Sequence, residues 1–115
     1  MTPAALETAA LALPGAELSI KWGDDRCYVV GGKMFAATDG AGSNLSLKMT
    51  DIAFEALTES GRGRPAPYMA RAKWVMFDDV AELDAGEVKD WLKTAHELVA
   101  SKLTRKQRVA IGLPA

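Results

Sequence analysis

Hydrophobic positions recur first at helical spacing. Leu6, Ala9, Ala10 and Leu13 fall on one side of a segment that Thr2 and Pro3 open and Pro14-Gly15 closes, which predicts a helix over 3–13. From Glu17 the period changes to two. Leu18, Ile20 and Trp22 alternate with Glu17, Ser19 and Lys21, predicting a strand whose apolar side, Trp22 included, joins the core while Lys21 faces water. Two short β-favouring runs, Arg26–Val30 and Lys33–Thr38, flank Gly31-Gly32. Glycine takes positive φ angles at little cost, so this pair predicts a tight two-residue hairpin. Leu45, Leu47 and Met49 alternate with Ser46 and Lys48 in a fourth strand with one wet face. Four consecutive short strands predict an antiparallel meander.

Thr50 is placed to cap a helix beginning at Asp51, with Ala53, Phe54 and Leu57 inward and Gly61 as its left-handed stop. Lys73–Phe77 reads as a fifth strand. Asp84 and Glu87 have the spacing of a capping box, opening the longest helix, over 85–103, with Val88, Trp91, Leu92, Ala95, Leu98 and Val99 on one stripe. Thr104 with Gln107 starts a last short turn. The order α-β-β-β-β-α-β-α predicts an α+β fold, a two-layer sandwich of helices on a mostly antiparallel sheet, forming one domain over 1–115.

Length and composition agree with a single core: 115 residues, 49% hydrophobic and 25% charged. No apolar run approaches the roughly 20 residues of a membrane span. The opening Met-Thr-Pro-Ala-Ala-Leu-Glu lacks a basic leader region, so a cytoplasmic protein is expected. Cys27 is the sole cysteine, which excludes an internal disulfide and a cysteine metal cage, and mid-strand it reads as inert packing. The net charge of −1 conceals an uneven distribution: eight of the fourteen Lys and Arg lie in 62–73 and 102–108, and six acids crowd 78–90.

The segment Gly61–Phe77 carries the candidate chemistry. Arg62, Arg64, Arg71 and Lys73 bring four positive charges and no negative one, with Pro65 and Pro67 to stiffen the backbone and Tyr68 and Trp74 among the cations. A protein that grips phosphates needs several cations on one face, and planar guanidinium groups hold phosphate by two hydrogen bonds. Tyr68 and Trp74 suit stacking on a base or sugar. Lys21 and Lys48 occupy wet-face positions and would extend a basic groove if their face joins Arg71. Lys102, Arg105, Lys106 and Arg108 form a second positive group. The plainer reading is a solvated loop, with Trp74 in the core and Tyr68 over its edge.

Catalytic and metal-binding readings find less support. His96 is the sole histidine, beside an apolar stripe, and reads as a partly exposed structural residue. The acids Asp78, Asp79, Glu82, Asp84, Glu87 and Asp90 read as a solvated edge, Asp84 and Glu87 having a capping role. The glycines form no phosphate-cradling fingerprint and the serines no nucleophile elbow. No cofactor and no catalytic residue are expected.

Leu13-Pro14-Gly15, Ile20-Lys21-Trp22-Gly23, Gly32-Lys33-Met34-Phe35-Ala36, Pro65 to Val75 and Glu97 to Leu103 stand in an order that resembles the MmcQ/YjbR family of small bacterial proteins. The resemblance runs along nearly the whole chain, and Pro65-Ala66-Pro67-Tyr68-Met69-Ala70-Arg71-Ala72-Lys73-Trp74-Val75 is its most specific part. It implies a fold similar to CyaY and frataxin. Members are commonly described as DNA-binding. An acidic first helix like that of frataxin is lacking, since only Glu7 lies there, so iron delivery is not implied. The expected function is therefore a non-enzymatic binding domain that contacts DNA through Arg62, Arg64, Tyr68, Arg71, Lys73, Lys21 and Lys48. The alternatives are a small anionic or planar ligand held between Tyr68, Trp74 and the adjoining cations, or a protein-interaction module. The oligomeric state stays open, with a monomer favoured, and no membrane association is expected.

Overall fold

In the computed structural model of the chain, which describes residues 1–67 and 69–114, Thr2 opens the first helix, α1 (Pro3–Leu11). Its hydroxyl accepts a hydrogen bond from the Ala5 N–H at 3.1 Å, and Pro3 fills the first turn, where no N–H is needed. The helix stops two residues before the expected end. Strands β1 (Ala16–Lys21), β2 (Asp25–Val30), β3 (Lys33–Thr38) and β4 (Leu45–Lys48) follow, then α2 (Asp51–Glu59), β5 (Arg64–Pro65), β6 (Trp74–Phe77), α3 (Ala85–Ala100) and α4 (Arg105–Ala110). Short 3₁₀ turns lie at Ala70–Ala72 and Val80–Glu82. The six strands form one sheet in the order β1-β2-β3-β4-β6-β5, with every neighbouring pair antiparallel. Helices on this sheet make the expected α+β two-layer sandwich.

Local sequence accounts for most of these boundaries. Gly31 and Gly32 both have positive φ, +59° and +76°, and close the β2–β3 hairpin tightly. Thr50 caps α2 through the Ala53 N–H, and Gly61 beyond its end has φ +76°. Thr104 and Gln107 exchange both bonds of a capping box at α4. At α3 only half of the expected box forms: Asp84 accepts from the Glu87 N–H at 2.9 Å, while the Glu87 carboxylate turns to Arg62 instead. Helix α3 ends at Ala100, short of the expected 103. The two-residue strand β5 was expected as loop. Lys73, expected to begin a strand, has a left-handed backbone at φ 64°, and the strand starts one residue later.

Pairing places Tyr28, Ala36, Leu47 and Val75 side by side across β2, β3, β4 and β6, all 1% exposed or less. Onto this row pack Val88, Leu92, Ala95 and Val99 from α3 and Leu6 and Ala10 from α1. A register shift between Tyr28 and Val29 leaves Phe35 as an extra residue, a bulge that is itself fully buried. Helix α2 packs at the β6–β5 end of the sheet and buries Leu57.

The first strand departs from expectation. Leu18 and Ile20 are 37% and 51% exposed, and Trp22 is 71% exposed with a left-handed φ of 50°. The alternation correctly marks a strand and a common face for Leu18 and Ile20. However, β1 is the outermost strand, where the helical layer leaves that face partly uncovered, and Trp22 lies beyond the strand end. Trp22 is therefore not a core residue.

Candidate functional site

The four cations of the 62–73 segment do not converge on one surface. Arg64 stands opposite Met76 in the β5–β6 register, so Asp78, two residues further on and just past the end of β6, is its diagonal neighbour. The Arg64 guanidinium engages the Asp78 carboxylate by two nitrogens, Nη2 at 2.9 Å and Nε at 3.2 Å. This pairing holds the Asp78 carboxyl below its ordinary pKa, chiefly through the hydrogen bonds from Arg64. Arg62 turns to α3. Its Nη1 and Nη2 meet the two Glu87 oxygens at 3.1 and 2.8 Å, and its guanidinium carbon lies 5.7 Å from the Trp91 ring centre. Trp91 in turn stacks on Phe77 with centroids 4.8 Å apart. Both arginines are thus engaged in fork-to-fork pairs within the chain.

A smaller basic corner forms where β4, the 3₁₀ turn and β6 meet. Lys48 pairs with Trp74 in the sheet register, and its ammonium donates to the Ala72 carbonyl at 2.8 Å. Arg71 and Lys73 flank that same residue. The Lys73 ammonium lies 5.0 Å from the centre of the Phe54 ring on α2, a cation–π contact. Arg71 is exposed at the middle of the 3₁₀ turn. Among the described residues, none of Lys48, Arg71 and Lys73 lies within 4.0 Å of a carboxylate oxygen. An ammonium has three donors and Lys48 uses one here, so its charge and two donors stay available.

Backbone bonds fix this corner. The Met49 N–H donates to the Lys73 carbonyl at 2.9 Å, the Ala66 N–H to Trp74 at 3.0 Å, and the Met69 N–H to Ala66 at 3.1 Å. Trp74 is only 4% exposed, so its ring cannot serve as a stacking platform. That overturns the small-ligand arrangement expected between Trp74 and its neighbouring cations. Tyr68 lies outside the described residues. Lys21 does not join the corner: it ends β1, three strand spacings from β4, at least about 14 Å away. Beside Pro67 the sheet surface is acidic, with Asp25 and Asp39 lining a shallow cavity of about 210 Å³. Hydrogen bonds from Ser43 hold the Asp39 carboxyl below its ordinary pKa, keeping it charged.

The residues that sequence singles out for possible reactivity are occupied by packing. His96 is 5% exposed rather than partly exposed. Its Nε2 lies 2.7 Å from the Pro14 carbonyl oxygen, and its ring meets Phe35 edge-on at 5.5 Å. No local signal reveals this bond, because Pro14 is 82 residues away. Cys27 is fully buried, and burial pushes its thiol above the ordinary range. Sequence reasoning also overlooked the cluster in which Arg26 and the Tyr28 hydroxyl both donate to Glu7 of α1. Among the described residues no group of three or more His, Cys, Asp or Glu is placed to hold a metal ion, and no helix is long and apolar enough to cross a membrane.

Comparison with known proteins places the chain among relatives. The YjbR family model matches residues 11–98. The crystal structure of Deinococcus radiodurans protein DR2400, which carries the DUF419 domain, superposes with a TM-score of 0.84 over 98% of this chain and 89% of that one, at 23% identity. The search for similar curated proteins found no significant match.

Proposed function

The chain belongs to the YjbR family, and from that premise we propose a non-enzymatic binding protein that holds the phosphate backbone of DNA at the Lys48–Arg71–Lys73 corner. The observation that carries this reading is the contrast within one region: Arg62 and Arg64 are engaged by carboxylates, whereas Lys48 reaches the Ala72 carbonyl between Arg71 and Lys73, and among the described residues none of these three pairs with a carboxylate. Three cations neutralise about three phosphates, which gives weak binding without base readout. The roles first expected of Arg62 and Arg64 pass to this smaller group. A non-enzymatic role is supported by His96 and Cys27, each held in packing away from solvent.

The test is a fluorescence-anisotropy titration of the protein into random duplex DNA at low salt. Saturable binding that Arg71→Ala with Lys73→Ala weakens strongly, leaving only a shallow salt dependence, is the expected result. Absence of saturable binding, or affinity unchanged in that double variant, overturns the reading.

A second reading rests on a different place. An open cleft of about 410 Å³ lies between Leu13-Pro14, α3 and α4, lined mainly by apolar atoms with Lys93 and Arg108 among them. Among the described residues the Arg108 Nε is buried without an acceptor. A small carboxylate with an apolar body would supply that acceptor and fill the cleft. A titration with short aliphatic carboxylates, followed by NMR at the Arg108 Nε–H, tests it; an unmoved resonance discards it.

A further inference from the structure

We infer that the chain forms a two-fold dimer by pairing β1 with β1 of a second copy, extending the sheet across the molecules. Three independent observations lead there.

The first is the contrast between the sheet's two edges. At one end stands β5, two residues long and containing Pro65, which has no N–H to offer a neighbouring strand. Shortness and proline are both devices that discourage strand addition. At the other end stands β1, six residues long, without proline or bulge, and among the described residues no strand lies on its outer side.

The second is exposure. Leu18 and Ile20 lie on the helix-bearing face, opposite Tyr28 and Arg26, yet are 37% and 51% exposed, and Trp22 just beyond is 71% exposed. Three of the six exposed large apolar residues among the described residues thus fall within five positions at the unguarded edge.

The third fixes the occupant. Laid antiparallel against itself about Ser19, the strand is self-complementary: Glu17 faces Lys21 of the other copy, Leu18 faces Ile20, and Ser19 faces Ser19. The operator is a two-fold axis perpendicular to the sheet, so each contact occurs twice. The register sets two opposite-charge pairs on one face and two apolar pairs on the other. It also keeps both helical layers on the same side. A one-residue slip would set Leu18 against Ser19 and Glu17 against Ile20, losing both kinds of pairing.

Sedimentation equilibrium of the purified chain over a wide concentration range tests the proposal. The expected mass rises with concentration from 12.3 kDa to twice that value. Ile20→Lys, at a half-exposed position that leaves the fold intact by circular dichroism, is expected to hold the mass at that of the monomer. Glu17→Lys and Lys21→Glu each place like charges opposite one another twice, and each is expected to weaken dimerisation by roughly tenfold. Mixed in equal amounts, the two variants set a strand with lysine at both positions against one with glutamate at both, and the expected result is a heterodimer of restored affinity. A chain that stays monomeric throughout overturns the proposal, as does a dimer indifferent to Ile20→Lys. Failure of the mixture to recover, with both single variants folded, overturns the register.

Discussion

Arg62 and Arg64 stand among the cations of the basic segment but contribute nothing to a phosphate site while Glu87 and Asp78 hold them. Replacing the two acids by isosteric amides, Asp78→Asn with Glu87→Gln, should therefore convert two occupied cations into available ones. The size of the effect follows from counterion release, where the logarithm of affinity falls with the logarithm of salt at a slope of about −0.9 for each phosphate neutralised. Three available cations give a slope of about −2.7, so raising salt from about 50 to 200 mM weakens binding roughly 40-fold. Five give about −4.5 and a loss of roughly 500-fold over the same range. Arg71→Ala with Lys73→Ala leaves Lys48 alone, with a slope of about −0.9 and a loss of less than about fourfold. Anisotropy of a labelled random duplex, titrated at four or more salt concentrations, resolves these slopes. Asp90→Asn with Glu97→Gln serves as the control. It likewise removes two negative charges, from exposed positions of α3 that pair with no cation among the described residues, and it should raise affinity slightly without steepening the slope. Parallel lines for the wild type and the Asp78→Asn, Glu87→Gln variant would refute the claim that carboxylates keep those arginines from phosphate. The cost to the fold should be small, because both pairs are solvent-exposed and such pairs are strongly screened.

Three further outcomes follow from the packing. Gly31→Ala should destabilise the chain more than Gly32→Ala in urea unfolding: both positions have positive φ, costing about 1–2 kcal/mol for alanine, but only at Gly31 would a Cβ come within 2.7 Å of Leu103, while Gly32 has open space. Equal losses would show that Leu103 yields freely. His96→Ala leaves the Pro14 carbonyl without its partner and removes the contact with Phe35, and a loss of about 2–4 kcal/mol in the same assay is expected. The Tyr28 phenol is pushed up to about 12, first by burial, from an unfolded value near 10. Its folded-state pKa is the higher one, so this stabilisation is complete below pH 10 and is lost as pH rises through 12. Wild type should therefore lose stability across that window more steeply than Tyr28→Phe.

Local chemistry made much of the fold legible. The Gly31-Gly32 turn, the caps at Thr2, Thr50 and Thr104, and the alternation in β4 each depend on residues close in sequence, and each appears where the spacing puts it. What stayed hidden depends on distant pairings. Alternation tells which side of β1 Leu18 and Ile20 occupy, but whether a helix covers that side is decided by the strand's place in the sheet. The partners of Arg62 and Arg64 follow from the β5–β6 register and the lie of α3, neither of which is written in Gly-Arg-Gly-Arg. The acidic run at 78–90, read as a solvated edge, supplies both carboxylates. Segregated charges along the chain thus became paired charges in space, and the candidate site shrank to the cations that found no such partner.

The strand order has a consequence for synthesis. The first four strands each lie beside their neighbour in sequence, so this hairpin ladder needs only short loops to close and can zip up as the nascent polypeptide leaves the ribosome. Its oily underside, with Tyr28, Val30 and Leu47, then waits for a lid made almost 40 residues later, since α3 begins at Ala85. Until translation delivers that helix, only α1 is at hand to cover part of that surface, and the rest stays wet.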